Sequence, residues 1–313
     1  MGMATEDQRL PQFVEKMISE HGEEDYVGLD TGFKRLNQLV HGLRQGLYTI
    51  GGKPGCGKTT LAWQIAFQVV QNNKKVTVIF LSLDQAADDL RMRLLSRLSG
   101  IGSEDLFRRR LEPESQEVKN LMSVIERHKK AAGRMYLLGP DYDLYRGFAI
   151  SEGDGYDYDG EPYANDRGHK RSPKPPGDFF HKLMPLIRDG SANKVFVVVD
   201  YLQKIFPTHR YSDDVARVSI VTDELRTLSE CIHGPVLAVS EINRESYKNP
   251  GMDAFKNSGR IEYSADVACV LKRKGTKDEP REMELEVLKN RMGDTGVIEL
   301  DFYPKLAKFE EVS

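Results

Sequence analysis

Gly52-Lys53-Pro54-Gly55-Cys56-Gly57-Lys58-Thr59 is the stretch that decides the fold. It satisfies G-x-x-x-x-G-K-[ST] in a frame where that pattern has mechanical meaning. An apolar segment, Leu47-Tyr48-Thr49-Ile50, precedes it, and an amphipathic stretch from Leu61 to Val70 follows. That order predicts a strand, a glycine-rich turn and a helix. In such a turn the backbone N–H groups converge on a β-phosphate, and the helix N-terminus adds partial positive charge. Gly52, Pro54, Gly55, Cys56, Gly57, Lys58, Thr59 and Thr60 therefore form the expected nucleotide-binding set. Lys58 is placed to pair with the β- and γ-phosphates, and the Thr59 hydroxyl to hold Mg²⁺. The expected ligand is a nucleoside triphosphate.

Working outward, Lys194-Val195-Phe196-Val197-Val198-Val199-Asp200 reads as a central strand ending in a carboxylate. Open α/β sheets bind ligands at the C-terminal edge of such strands, where Asp200 would support the metal. Further apolar runs occur at 76–81, 135–138, 235–239 and 267–271. They are continuous rather than alternating, which predicts strands buried on both faces and a mainly parallel sheet flanked by helices. Met283–Leu288 and Val297–Phe302 alternate instead, with Gly293 to Gly296 between them, and predict a C-terminal β-hairpin. Residues 1–26 are polar apart from a short amphipathic piece, Phe13 to Ile18. The nucleotide-binding domain is expected over 27–313. One segment, 141–177, lacks apolar periodicity. Five acidic residues lie between Glu152 and Glu161 among tyrosines, then a basic, proline-rich run follows, so a surface insertion is expected. A protein partner is a second use for it.

Composition narrows the classes. The chain has 313 residues, 39% hydrophobic and 30% charged, as expected of a globular protein with a substantial core. A net charge of −3 gives no general attraction to nucleic acid, so any such site must be a local patch. Cys56, Cys231 and Cys269 form no CxxC pair, which argues against zinc or a disulfide framework and for a reducing compartment. No apolar run approaches the ~18 residues of a membrane span. Gly2 is followed by Glu6 where a myristoylation signal wants Ser or Thr. A cytoplasmic location and no membrane partner are expected.

Several ordered motifs extend the reading. The chain carries Gly28-Leu29-Asp30-Thr31-Gly32-Phe33, Leu81-Ser82-Leu83-Asp84, Asp200-Tyr201-Leu202-Gln203, Ser240-Glu241-Ile242-Asn243-Arg244, Ser258-Gly259-Arg260-Ile261-Glu262 and Lys289-Asn290-Arg291. In this order and spacing they resemble the RecA-like ATPase domain of DnaB-type replicative helicases, from about Val27 onward. The resemblance implies a RecA-like P-loop NTPase fold, ATP with Mg²⁺, and helicase or translocase activity on single-stranded DNA. It also implies a ring oligomer, a hexamer, with nucleotide at subunit boundaries. Carried over position by position, it implies that Lys58 and Thr59 hold phosphate and metal and that Asp200 supports the metal. Asp84 stands where the family keeps a glutamate that activates water, and Glu241 where it keeps a glutamine sensing the γ-phosphate. Lys289 and Arg291 would reach a neighbour's nucleotide, Arg291 as arginine finger, and Arg93 would lie near the chain's own.

Asp84 is one methylene shorter than glutamate, and Glu241 sets a carboxylate near an anionic group. Secure nucleotide binding with slowed hydrolysis is expected, since ~1 Å of misplacement costs on the order of 100-fold. An alternative task for Asp84 is to cap a helix over Ala86–Leu98. DNA-facing loops are implied at Phe206–Asp214 and Arg244–Gly259, with Arg244, Lys256, Asn257 and Gly259 on backbone phosphates. In the first loop Asp213 and Asp214 would weaken that attraction. The piece near Phe13 to Ile18 resembles the family's linker helix, and 26 residues leave no room for its N-terminal domain. Two other functions fit the same motifs: a RecA/KaiC-like regulatory ATPase that switches a protein partner without unwinding, and a DNA-binding ATPase of a mobile-element or defence system.

Overall fold

Valine- and isoleucine-rich runs, buried along their length, build the centre of the sheet. The computed structural model describes residues 10–11, 14–15, 27–108, 111–140, 194–205, 211–242 and 264–312. Strands β1 (Gly46–Gly52), β2 (Val76–Ser82), β3 (Met135–Leu138), β4 (Lys194–Asp200), β5 (Pro235–Glu241) and β6 (Val267–Arg273) lie parallel in the order β3-β2-β4-β5-β1-β6. Every residue of β1 and β2 is buried, as strands covered on both faces require. The expected hairpin is β7 (Arg281–Asn290) and β8 (Gly296–Tyr303), antiparallel to each other, with β7 antiparallel to β6. Its alternation is real: Met283, Leu285 and Val287 turn inward, as do Ile298, Leu300 and Phe302.

A ninth strand, β9 (Lys308–Glu311), pairs with β8 and completes one mixed sheet among the described residues. Periodicity could not announce it, because Lys308-Phe309-Glu310-Glu311 offers a single apolar side chain. Tertiary contacts hold it instead. The Gln64 side chain donates through Nε2 to the Phe309 carbonyl at 2.8 Å and accepts the Phe309 N–H at 2.8 Å. The Phe309 ring stacks on Phe302 with centroids 4.2 Å apart.

The sheet divides the core in two. One face carries α1 (Lys34–Val40), α2 (Lys58–Asn72), α3 (Ala87–Ser99), the short α4 (Ser103–Phe107) and α5 (Gln116–Ala132). On the other lies α6 (Asp214–Ile232), which packs Val218, Val221, Leu225 and Leu228 against β1, β2, β4 and β5. The helix after the glycine-rich loop differs from its amphipathic appearance: α2 is buried nearly all round, because α3, α5 and β9 cover the sides that the central strands leave open. Trp63 shows how tightly: its Nε1 donates to the Leu90 carbonyl at 2.8 Å, and its ring meets Phe80 edge-on at 4.9 Å.

The Gly28–Phe33 motif is structural. The Asp30 carboxylate accepts from the Gly32 N–H at 2.7 Å and from Asn37 Nδ2 at 2.6 Å, while Asn73 at the end of α2 accepts the Asp30 N–H at 3.1 Å. Of the segment 1–26, Leu10, Pro11, Val14 and Glu15 are helical and exposed. The rest of that segment and the insertion 141–177 lie outside the described residues. No helix among the described residues is long and apolar enough to cross a membrane.

Phe309→Ala should lower the unfolding free energy by about 3–5 kcal/mol in urea titrations, since it leaves a void beneath α2 and removes the stacked ring. A change under about 1 kcal/mol would mean that β9 is dispensable to the core.

Candidate active site

The glycine-rich loop leaves the C-terminal end of β1 and turns into α2 at Gly57, whose φ of +101° favours glycine. Space forbids a side chain there as well, because a Cβ would stand 2.9 Å from Phe309 Cζ. At Gly52 a Cβ would meet the Leu271 carbonyl oxygen at 2.7 Å. The loop is thus pressed between β6 and β9 and opens on a cleft of about 370 Å³. Gly55, Lys58, Thr59, Thr60 and Arg93 line one part of the cleft, Arg281, Phe302 and Pro304 another.

Lys58 is buried, and its Nζ donates to the carbonyls of Gly52 at 2.7 Å and Lys53 at 2.9 Å. The Thr59 hydroxyl donates to Asp200 Oδ1 at 3.2 Å. Asp200 is only 2% exposed, and burial pushes its carboxyl up to about 6. The Thr59 hydrogen bond and the Lys58 charge oppose that rise, while Asp84 adds to it. Burial likewise lowers the Arg93 guanidinium, whose Nη1 donates weakly to Thr60 Oγ1 at 3.4 Å. The Cys56 thiol is raised by burial, with Lys58 opposing, so it packs as a neutral group.

Asp84 follows β2, whose Ser82 is in register with Asp200 of β4. It does not cap the next helix: α3 begins at Ala87 with no side-chain cap. Instead its Oδ1 stands 3.2 Å from Lys204 Nζ. That contact raises the Lys204 ammonium. Glu241 ends β5 beside Gly52 and is exposed. Its backbone N–H donates to Gln203 Oε1 at 3.3 Å, while Gln203 Nε2 donates to Ser240 Oγ at 2.8 Å. The structure thus brings Lys58, Thr59, Asp84, Asp200, Arg93 and Glu241 to one edge of the sheet.

Arg291 stands toward the opposite edge, and Lys289 lies between the two edges. Lys289 pairs in register with Ala268 near the start of β6, which runs parallel to β1. Through β6, Lys289 is level with Thr49, about 10 Å along β1 from Gly52, and Arg291, whose N–H donates to the Asp266 carbonyl, is level with Leu47, about 17 Å from Gly52. Arg291 Nη1 contacts Asp266 Oδ1 at 3.2 Å. Arg244, Lys256, Asn257 and Gly259 lie outside the described residues. In the first expected loop, Asp213 and Asp214 prove to be the start of a helix. Asp213 caps α6 by accepting the Ala216 N–H at 2.8 Å, which holds its carboxyl low, and Asp214 meets Arg217 at 3.1 Å.

Sequence reasoning missed Arg281 and Phe302, which face the cleft from the hairpin. Arg281 lies with its Cζ 5.9 Å from the Phe302 ring, and its Nε is buried without a hydrogen-bond partner among the described residues. The alternation of β7 and β8 could have shown which side each faces, but only the fold aims that side at the loop. The donor set fits a small hard cation. Thr59 Oγ1 and Asp200 supply oxygens, and no cluster of three or more His, Cys, Asp and Glu residues competes among the described residues.

Residues 28–136 and 182–311 match the family described as DnaB-like helicase C terminal domain. The chain is 26% identical over 295 residues to the replicative DNA helicase DnaC of Bacillus subtilis (strain 168), covering 91% of this chain and 57% of that protein. It thus spans little more than half the length of that relative. Its fold is similar to a solved ATPase domain, with a TM-score of 0.79, 18% identity and full coverage of both chains. It also overlaps a DnaB-like replicative helicase solved for its interactions with primase, with a TM-score of 0.77 and 19% identity, covering 98% of this chain and 68% of that one.

Asp200 yields a signed prediction for the protein without nucleotide or metal. Its folded value of about 6 lies above the ordinary 3.8, so burying the charged form opposes folding above about pH 6. Asp200→Asn should raise the unfolding free energy by about 1–3 kcal/mol at about pH 7.5. The gain should shrink as pH falls through about 6 and vanish near about pH 4, followed by urea titration at each pH.

Proposed function

The chain belongs to the DnaB-like helicase C terminal domain family, and on that premise we propose that it hydrolyses ATP to move along single-stranded DNA as a ring oligomer, a hexamer, in the cytoplasm. One observation carries the reading. Arg291 stands about a strand's length from the Lys58 loop, at the other edge of the same sheet. A finger so placed serves a nucleotide only across a subunit boundary. The relatives matched are replicative helicases, which favours this reading over a switch acting on a protein partner.

The residues divide the work as follows. Backbone N–H groups of the loop and Lys58 hold the β- and γ-phosphates, and the start of α2 adds partial positive charge. Thr59 and Asp200 would hold Mg²⁺, which neutralises phosphate charge when bound. Asp84, which follows β2 beside the end of β4 and adds to the charge around Asp200, orients the attacking water and accepts its proton. Its short side chain and its contact with Lys204 keep it from the best geometry, so hydrolysis is slow. Glu241, next to Gly52, senses the terminal phosphate through the Gln203–Ser240 contacts. Arg291 of the adjacent subunit stabilises charge on the transferring group.

Lys58→Ala should abolish ATP binding. Arg291→Ala should leave it intact and lower turnover by about 1000-fold or more, read by filter binding and phosphate release. A mixture of the two should regain activity, and recovery absent from every mixing ratio would refute the ring. Single-stranded oligonucleotide should stimulate turnover in the native protein and fail to do so in Lys256→Ala. Asp84→Glu should speed hydrolysis several-fold if reach limits the base, and an unchanged rate would remove Asp84 from that role.

A further inference from the structure

A second charge cluster occupies the sheet edge away from the cleft, and Asp266 is its centre. The Asp266 side chain is 13% exposed. Its Oδ2 accepts the Leu47 N–H at 2.9 Å, its Oδ1 holds Arg291 Nη1 at 3.2 Å, and Arg226 Nη2 of α6 stands 3.6 Å from the same Oδ1. The backbone repeats the tie: Arg291 N–H donates to the Asp266 carbonyl at 2.8 Å, and Asp266 N–H to the Leu47 carbonyl at 2.8 Å. Two residues earlier, the Ser264 carbonyl accepts from Arg226 Nη1 at 2.9 Å and the Ser264 hydroxyl donates to Asp223 at 2.5 Å. The start of β1, the end of β7, helix α6 and the chain just past positions 244–263 therefore meet at one carboxylate.

Such a carboxylate is unlike an ordinary surface partner. A free arginine side chain has many rotamers and wanders unless something orients it. Here one oxygen is fixed on a central strand, so the other is a stationary anchor with charge-assisted strength. An edge ion pair with no further task would contribute little and would not affect chemistry in a neighbouring subunit.

We propose that Asp266 is a positioning residue for Arg291, presenting the guanidinium to the adjacent subunit. This rests on the ring reading above. Asp266→Asn keeps the size and an acceptor for Leu47 while removing the charge. It should leave ATP affinity and oligomer size unchanged and lower kcat by about 10- to 100-fold, the scale expected of a displaced catalytic group.

Mixed oligomers separate this role from a structural one. Combining Asp266→Asn with Lys58→Ala creates boundaries at which an intact loop meets an intact finger, so turnover of the mixture should exceed that of either parent. The control mixture is Arg291→Ala with Lys58→Ala. If the control recovers activity and the Asp266 mixture does not, Asp266 acts within its own subunit and the proposal is overturned. If neither recovers, the ring reading itself fails. Wild-type turnover in Asp266→Asn also overturns the proposal. Should Asp266→Asn not fold, Asp266→Glu replaces it in the same mixtures, with a smaller loss of turnover, about three- to tenfold, and the same recovery.

Discussion

Burial of β1 on both faces is the constraint from which the site follows. With β5 on one side, β6 on the other and helices above and below, β1 has a single way to end, in the glycine-rich loop at the C-terminal edge of the sheet. The same parallel arrangement brings the ends of β2, β4 and β5 to that edge, and with them Asp84, Asp200 and Glu241. The loop then turns at Gly57, where the Phe309 ring leaves no room for a Cβ, and α2 starts with its first turn on the cleft.

The two edges of the sheet carry charge differently. At the cleft, Asp200 is an acid buried at an energetic cost, raised by desolvation and only partly relieved by Thr59 and Lys58. A carboxylate of this kind suits a group whose full stabilisation awaits a cation. At the far edge, Asp266 is satisfied in place by Leu47, Arg291 and Arg226. One edge is arranged to receive charge and the other holds an arginine in place, the contrast on which the proposed ring reading rests.

Much of this is legible before any coordinates. The glycine-rich loop, the strand ending in Asp200, the parallel core and the alternating hairpin all stand as expected, because each depends on short-range rules: apolar continuity, alternation, and glycine where the backbone must turn sharply. Departures occur where distant segments meet. Asp84 looks like a helix cap locally but pairs with Lys204, which follows β4 far along the chain. Asp213 reads as a charge in a loop and is the cap of α6.

By itself the sequence determined the fold class, the loop and its lysine, and the family motifs, since these are written in consecutive residues. Tertiary structure alone decided that β9 covers α2, that Arg281 and Phe302 face the loop, and that Asp266 holds Arg291 at the edge away from Lys58. The physical reason is sequence separation. Gln64 meets Phe309 across 245 residues and Leu47 meets Asp266 across 219, and no local pattern encodes the register of a sheet that closes over such distances.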